Sequence, residues 1–369
     1  MSKLRFLTGF LFSCILCITV LCPAQSPLAQ TTVNADDHAA VIFVYNRIGE
    51  DQYPDTNIRK EQFENHVKEL TDGTYNPVSL PALIESVKNG NTLPERTIAI
   101  SFDGGHHSVL DHAAPLLLDN DIPFTVFVAT DLIDRNSPQY MNWDDLRRLA
   151  KNKLVTIGLH PAAYMRLADE NTETMARQIN KARARYREEL GSEATLFAYP
   201  FGEYSTAYRD FIEQQKFIAA FGQQSSVAYS ESDIYALPRF SMTDSYGSLD
   251  RFRMTANALP LPLTDITPAD PQLDTNAPSI GFTIEKDLTG SIDRLSCFAS
   301  NQSRLTKEIV NDTRIELRLD RPFDSERVRI NCTMPGPAGE EDEEPRWRWF
   351  GMLMTAPLLT PVQASTFQE

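Results

Sequence analysis

The chain has 369 residues, which is long enough for two domains. Its 35 lysine and arginine residues stand against 50 aspartate and glutamate residues, giving a formal net charge of −15. Nucleic acids and anionic membrane surfaces carry negative charge themselves, so this composition argues against both as partners.

The first 29 residues are predicted to be a signal peptide. Lys3 and Arg5 precede an apolar stretch at residues 6–21, and small residues suited to cleavage follow at Ala24 and Ala29. The apolar stretch is short for spanning a bilayer, so an uncleaved membrane anchor is the less favoured alternative. We therefore predict an exported protein of the periplasm, cell envelope or extracellular space, with no transmembrane segment after cleavage.

Cysteine usage agrees with export. Three of the five cysteines lie in the leader, so only Cys297 and Cys332 would remain in the mature chain. An isolated pair in an exported protein predicts one disulfide, and two buried free thiols are the alternative. A lipoprotein signal that ends at Cys22 is a weaker interpretation, because no small residues precede that cysteine.

From about residue 40 to residue 260, short apolar runs alternate with amphipathic stretches. The apolar runs predict strands at 41–45, 97–102, 124–129, 155–159, 196–199 and 217–221. The amphipathic stretches predict helices at 61–70, 82–88, 109–118, 143–150, 173–190, 208–215 and 249–259. Strands alternating with helices indicate an α/β fold with parallel strands, and the number of units favours a (β/α) barrel over an open sheet. This domain is predicted to span residues 35–262.

A proline-rich stretch follows the predicted barrel. It is mostly polar and cannot continue a helix or a central strand, and its prolines are Pro260, Pro262, Pro268 and Pro271. Residues 263–276 are therefore predicted to be a linker. Beyond it, residues alternate in the manner of strands at 280–285, 314–319 and 328–331. We predict a small all-β sandwich over residues 277–361, stapled by the cysteine pair.

Three of the predicted strands end in polar residues or glycines. The segment SFDGG (101–105) ends the second strand, His160 follows the fourth, and the segment YPFG (199–202) ends the fifth. Because active sites of barrels are built where the carboxyl ends of parallel strands meet, we expect these segments to converge there. A carboxylate, an imidazole and a tight turn at one edge predict a hydrolytic site.

These segments resemble the motifs of the polysaccharide deacetylases of the NodB-homology type, carbohydrate esterase family four. The family's motifs read Thr/Ser-Phe-Asp-Asp-Gly, then His-Ser/Thr-x-x-His, then an aromatic residue or Arg before Pro-Tyr/Phe-Gly. Their order and spacing match over roughly residues 40–260, and the YPFG form looks most like the branch that acts on poly-N-acetylglucosamine. The resemblance implies a distorted (β/α) barrel that acts on a polysaccharide containing N-acetylhexosamine.

The resemblance also implies a divalent metal ion, zinc or similar, and gives roles to two residues. Asp103 corresponds to the general base that acts on a metal-bound water, and His160 corresponds to the first metal-binding histidine. Neutral imidazole is a common ligand of such ions. From the residues alone, an Asp103 that caps the next helix and a His160 that is a structural histidine are the alternatives.

Two positions depart from the family's motifs. Gly104 stands where the family has a metal-binding aspartate, and Tyr164 stands where it has the second histidine. A catalytic zinc usually has three protein ligands and a water, so substitutes would be needed. We predict that His107, or the adjacent His106, supplies one, with a polar loop before the next helix as the alternative. No histidine follows His160, so the family's late general-acid histidine has no counterpart.

Further residues are predicted to complete the site. Arg239 is predicted to be a second catalytic residue that stabilises an oxyanion, with a surface ion pair as the alternative. The residues predicted to contact the substrate are Tyr199, Pro200, Phe201, Gly202 and Tyr164.

Three functions remain open from the sequence. The first is metal-dependent hydrolysis of the N-acetyl amide, a carbon–nitrogen bond other than a peptide bond, in an exported or cell-wall polysaccharide. The second is a deacetylase fold that has lost its metal and binds a glycan or an envelope partner, and the third is a structural envelope protein. The fold alone does not separate them. An acidic surface suits a neutral or cationic glycan, and it equally suits solubility alone.

Overall fold

The structure is a computed structural model that describes residues 35–337 and 346–357. The predicted signal peptide and residues 338–345 and 358–361 of the predicted sandwich lie outside the described residues. A curled parallel sheet with surrounding helices is followed by two further β-sheets, which confirms the predicted fold class. Within the described ranges, no helix has both the length and the apolar character that crossing a membrane requires.

The first part of the chain is a half-barrel built on seven parallel strands. The strands of this part are β1 (Ala40–Tyr45), β2 (Arg47–Ile48), β3 (Asn57–Ile58), β4 (Asn76–Pro77), β5 (Thr97–Asp103), β6 (Phe124–Val128), β7 (Val155–Leu159), β8 (Leu196–Ala198), β9 (Ala219–Phe221) and β10 (Phe240–Ser241). The sheet order is β10-β1-β5-β6-β7-β8-β9, and β4 pairs with the start of β5. Strands β2 and β3 pair with each other outside this sheet. The short strand β10, which pairs with β1, was not predicted from the sequence.

Helices cover the connections between these strands. They are α1 (Lys60–Asp72), α2 (Leu80–Asn89), α3 (Ala114–Asp119), α4 (Thr130–Asp134), α5 (Trp143–Leu149), α6 (Thr172–Leu190), α7 (Thr206–Gln214) and α8 (Leu249–Ala256). The predicted helix at 109–118 is instead a π-helical turn, Val109–Ala113, that leads into α3. Pro115 lacks the N–H that a continuous α-helix would direct at the Asp111 carbonyl, which explains the change. The predicted helix at 249–259 ends early at Ala256.

Alternation along the strands decides which side chains reach the interior of the half-barrel. In β5, the side chains of Ile98, Ile100 and Phe102 pack into the main hydrophobic core. The side chain of Ala99 belongs to a second cluster of buried residues, which lies inside the half-barrel. Because side chains alternate along a strand, Asp103 points to the same interior as Ala99. The strand therefore delivers a carboxylate to the inside of the half-barrel at its carboxyl end.

The last part of the chain forms two four-stranded sheets around one core. Their strands are β11 (Leu259–Pro260), β12 (Leu263–Thr267), β13 (Ile280–Ile284), β14 (Ser296–Ala299), β15 (Leu305–Val310), β16 (Arg314–Leu319), β17 (Arg327–Pro335) and β18 (Trp347–Thr355). One sheet has the order β11-β18-β17-β14 and the other has the order β12-β13-β16-β15. Cys297 and Cys332 form the predicted disulfide between β14 and β17.

The predicted linker contributes to these sheets rather than standing free. Its first residues form β12, an edge strand of one sheet, while β11 just before it pairs with β18 of the other. The side chain of Arg348 binds both oxygens of Asp36 at 2.7 and 2.9 Å, and Trp349 packs edge-on against Phe240. The half-barrel and the sandwich are thus held together by strand pairing, an ion pair and aromatic packing. The domain boundaries given above stay a prediction.

A buried histidine makes the stability of the half-barrel depend on pH. His66 donates from Nε2 to the Gly247 carbonyl at 2.9 Å, so its Nδ1 accepts from the Tyr45 hydroxyl at 3.0 Å. Burial lowers the pKa of His66 to about 4. Between this value and the unfolded pKa near 6.5, only the unfolded chain binds the proton, so acidification destabilises the fold.

We expect the free energy of unfolding to fall by about 2 kcal/mol through His66 alone when the pH is lowered from 7 to 5. Urea unfolding of the wild-type chain and of His66→Gln at both pH values measures this contribution. The glutamine keeps a donor and an acceptor but does not titrate, so its unfolding energy should change less between the two pH values. An equal change in both proteins would contradict the assignment.

Candidate active site

A fully buried ion pair forms the centre of the site. Arg239 donates from Nη1 to Oδ1 of Asp103 at 2.7 Å and from Nη2 to Oδ2 at 2.8 Å. Both side chains have no exposed surface. Asp103 reaches this position because it ends β5 facing inward, and Arg239 reaches it because it immediately precedes β10. A bidentate Arg–carboxylate pair fixes the orientation of the carboxylate as well as its charge.

Arg239, for which the sequence predicts an oxyanion role, directs its guanidinium group at acceptors of the protein interior. Its Nε donates to the Gly222 carbonyl at 2.8 Å, and its Nη1 also donates to the Ser101 hydroxyl at 3.1 Å. All three of its nitrogens therefore donate to acceptors of the chain itself. Arg239 positions Asp103, a task that Gln223 shares by donating from its amide to Oδ2 at 3.0 Å.

His160 lies next to Asp103, as the sequence predicted. Its Nδ1 donates to the Ala198 carbonyl at 2.7 Å, which leaves Nε2 as a lone-pair acceptor 3.8 Å from Oδ1 of Asp103. This Nε2 is buried and has no hydrogen-bond partner among the described residues. Burial lowers the pKa of His160 to about 4, against the opposing effect of the Asp103 charge, so the imidazole is neutral at pH 7.

The place of the missing aspartate is filled by His106, not by His107. Gly104 has a φ of +94°, and a Cβ built on it would lie 2.7 Å from Nε2 of His106. His106 is buried and stacks on Tyr140, whereas His107 is half-exposed and pairs with Asp111 at 3.0 Å. The predicted choice of His107 as a ligand is thus corrected: the glycine turn directs the first of the two histidines inward and the second outward.

The predicted substrate-contacting residues fall into two groups. Tyr164 and Phe201 line an open cavity beside the Asp103–His160 pair, and their rings pack edge-on at 5.2 Å. Tyr199 does not line this cavity, because it is buried among aromatic side chains and its hydroxyl donates to the Tyr235 carbonyl. Pro200 and Gly202 are also buried and serve to shape the turn. The predicted sugar contact is therefore corrected for Tyr199, Pro200 and Gly202.

The residues of this site do not fit the metal centre that the resemblance implies. His160 would suit an ion, since a backbone carbonyl holds its other nitrogen. Both oxygens of Asp103 are engaged by Arg239, Gly104 has no side chain, and Tyr164 offers a phenol whose pKa is raised by burial. In the part of the chain that the structure describes, no three His, Cys, Asp or Glu side chains are grouped to hold a metal. We therefore derive no chemical step through an ion.

The cavity at this edge has a volume of about 740 Å³, within the range of pockets for small ligands. Its lining includes Gly104, His106, Tyr164 and Gln223, which contact or adjoin Asp103 and His160. The opposite wall comes from the sandwich and includes Phe298, Arg327, Arg329, Asn331 and Trp349. The site is thus built from both parts of the chain.

The residues that the sandwich contributes to the cavity were not predicted from the sequence. Strand β17 alternates strictly between buried and half-buried positions, which places Arg327, Arg329 and Asn331 on one face. This alternation is visible in the sequence, but nothing in it shows that the face turns to the half-barrel. Gln223 was missed as well, because a lone glutamine after a strand carries no signal of its own.

Residues 90–219 of the half-barrel match the family model of the polysaccharide deacetylases. The match ends before Arg239 and before the whole of the sandwich.

Two named relatives match about half of this chain. The chain is 22% identical over 226 residues to the poly-beta-1,6-N-acetyl-D-glucosamine N-deacetylase of Escherichia coli (strain K12), covering 50% of this chain but only 33% of the relative. It is 21% identical over 215 residues to the protein of the same name from Staphylococcus aureus (strain MSSA476), covering 55% of this chain and 73% of the relative. An N-deacetylase is a hydrolase of a carbon–nitrogen bond other than a peptide bond. The chain thus spans about a third of the length of the E. coli relative.

Solved structures share the fold. The deacetylase PplD of Streptococcus pyogenes, in complex with acetate, superposes with a TM-score of 0.55 at 14% identity, over 59% of this chain and 98% of that one. IcaB from Ammonifex degensii superposes with a TM-score of 0.53 at 21% identity, over 60% of this chain and 98% of that one. Both similarities cover less than two thirds of this chain.

Proposed function

We propose that this chain hydrolyses the N-acetyl amide of a polysaccharide that contains N-acetylhexosamine, the reaction for which its relatives are named. The observation that carries the proposal is the 3.8 Å approach of Asp103 and His160 beside a cavity of sugar size, in a deacetylase fold. The proposal concerns this site alone, because the chain spans only part of the E. coli relative.

Asp103 and His160 are the two groups proposed to handle the proton of the attacking water. Oδ1 of Asp103 and Nε2 of His160 are both acceptors, and a water that donates to both would bridge their 3.8 Å separation. Such a water would pass a proton to one of these groups as its oxygen attacks the amide carbon, and that proton would be returned to the amine nitrogen as the carbon–nitrogen bond breaks. Arg239 acts through Asp103 by holding its carboxylate in place.

Export is part of the proposal, and the predicted metal dependence remains a question for experiment. The disulfide between Cys297 and Cys332 supports a location in an oxidising compartment, such as the periplasm, the envelope or the extracellular space. A polysaccharide substrate of the envelope or the cell wall agrees with that location. The site residues give no support to a bound zinc or similar ion, as described above.

Acetate release from N-acetylglucosamine oligomers tests the proposal. We expect the wild-type chain to release acetate and Asp103→Asn to be slower by at least about 100-fold, because the proton acceptor is lost. Asp111→Asn is the matched control, since Asp111 is exposed and pairs with His107 away from the cavity. Reactions with a chelator and with added zinc, cobalt or nickel show whether an ion matters. No acetate from the wild-type chain under any of these conditions would contradict the proposal.

A second candidate function, glycan binding without hydrolysis, is favoured by one observation. The Asp103 carboxylate is enclosed by Arg239 and Gln223 and has no surface exposed to the cavity. A carboxylate so enclosed would help to shape the cavity without reaching the amide. Binding of the oligomers by the wild-type chain, measured by calorimetry, with no release of acetate would establish this function in place of the first.

A further inference from the structure

The cavity beside Asp103 is positively charged, although the chain as a whole carries a net charge of −15. Its lining contains the four arginines Arg47, Arg251, Arg327 and Arg329. The lining has a single acidic residue among the described residues, Asp55. The charge of this cavity is therefore opposite to the average charge of the protein.

Two of these arginines have carboxylate partners. Nε of Arg47 lies 3.3 Å from Oε2 of Glu50, and Nε of Arg327 lies 3.5 Å from Oε1 of Glu203. The carboxylates of Glu50 and Glu203 therefore balance the positive charges of Arg47 and Arg327. The other two arginines, Arg251 and Arg329, are in a different situation.

Arg251 and Arg329 have no carboxylate within 4.0 Å among the residues that the structure describes. Nη1 of Arg329 donates to the Gln223 carbonyl at 2.7 Å, and Nη1 of Arg251 donates to the Tyr246 carbonyl at 3.0 Å. In residues 35–337 and 346–357, no hydrogen-bond partner is found for their other nitrogens. Both side chains are half-buried and line the cavity, and Arg251 also lies over the Tyr246 ring at 5.2 Å.

Holding these two charges in a half-buried position costs free energy. Burial lowers the pKa of Arg329 to about 10, and the neighbouring charge of Arg327 adds to the effect. Burial lowers the pKa of Arg251 to about 10 as well. Both groups stay charged at pH 7, and an anion bound between them would relieve the cost.

The arginines also lie close to the proposed reaction centre. The backbone carbonyl of Gln223 accepts from Arg329, while the side-chain amide of the same residue donates to Asp103. Gln223 therefore connects Arg329, and any ligand group that it holds, to the Asp103 carboxylate. Phe298, which is 69% exposed on the same wall, offers an apolar face to a sugar ring.

We propose that this cavity selects an anionic polysaccharide, one in which N-acetylhexosamine alternates with units that carry a carboxylate or a phosphate. Arg251 and Arg329 are its specificity-determining residues. The inference rests on the proposed function, and it narrows the substrate class. The overall negative charge suggested a neutral or cationic glycan. A bound ligand interacts mainly with the charges that line the cavity, so an anionic glycan is expected instead.

Calorimetric binding to the full chain tests this inference with three oligosaccharides of equal length. One alternates N-acetylglucosamine with glucuronic acid, one is neutral oligo-N-acetylglucosamine, and one is the neutral oligomer carrying phosphate groups. We expect at least one anionic oligomer to bind about tenfold or more tightly than the neutral one at low salt, with the advantage shrinking as salt is added. Comparison of the two anionic oligomers shows whether the carboxylate or the phosphate is recognised.

Variants separate charge recognition from folding. Arg251→Gln and Arg329→Gln should each remove most of the preference for the anionic oligomer, and Arg329→Lys should keep part of it because the charge remains. Arg318→Gln, an exposed arginine of β16 paired with Glu308, is the matched control and should keep the full preference. Circular dichroism confirms that each variant is folded.

Two results would overturn the inference, and they differ in whether the proposed function fails as well. If the neutral oligomer binds the wild-type chain as tightly as both anionic ones, the anionic specificity is wrong while the proposed function stands. If none of the three oligomers binds, the proposed function fails together with the inference.

Discussion

Arg239→Met is expected to lower the free energy of unfolding by about 3–5 kcal/mol. The substitution leaves the Asp103 carboxylate buried with no opposing charge, and it removes donors from the Ser101 hydroxyl and the Gly222 carbonyl. Urea unfolding at pH 7, followed by circular dichroism, measures the loss.

The double variant Asp103→Asn with Arg239→Met provides the control for this prediction. It removes both charges, so it should recover a large part of the stability that Arg239→Met alone loses. Arg318→Gln, which breaks an exposed pair with Glu308, should change the unfolding energy by about 1 kcal/mol at most. A loss below about 1 kcal/mol in Arg239→Met would show that the pair does not hold the interior of the half-barrel.

Restoring the family's ligands is expected to strengthen zinc binding. The variant combines Gly104→Asp, Tyr164→His and His106→Ala, the last because a side chain at position 104 would meet the His106 ring. Together with His160, the new carboxylate and imidazole supply the three protein ligands of a catalytic zinc. We expect zinc affinity to rise by at least about 100-fold over the wild-type chain.

Calorimetry with zinc and the visible spectrum of bound cobalt both measure this gain. His106→Ala alone is the control and should bind no more tightly than the wild-type chain, because it adds no ligand. The backbone at Gly104 has a positive φ, so the new aspartate also adds backbone strain, which circular dichroism of the variant would reveal as a loss of folded protein. Equal zinc affinity in the triple variant and the wild-type chain would show that something other than the two changed motif positions prevents metal binding.

The sequence predicted the half-barrel and the approach of Asp103 to His160 because both follow from local patterns. Apolar runs and amphipathic stretches fix the strands and helices, and parallel strands bring their carboxyl ends to one edge. A residue at the end of such a strand can therefore be placed without knowledge of its neighbours. The same argument placed Phe201 beside the site, whereas Tyr164 was placed there by the resemblance to the family's second motif.

The roles of other residues could not be predicted because they depend on packing between distant segments. Arg239 is 136 residues from Asp103, and nothing in the sequence shows that all its nitrogens would be used on the interior. The choice between His106 and His107 depends on the backbone path through two glycines with positive φ. Tyr199 is a core residue because its neighbours are aromatic, a fact that becomes visible only in three dimensions.

The position of strand β17 would allow the range of accepted glycans to change during evolution. Because Arg327 and Arg329 reach the cavity from the sandwich, a half-barrel cut off at residue 262 would keep Asp103 and His160 but lose one wall. Changes at the half-buried positions of that strand would alter which glycans are accepted without replacing Asp103 or His160. The sandwich would then be the element through which descendants of this chain acquire new substrates.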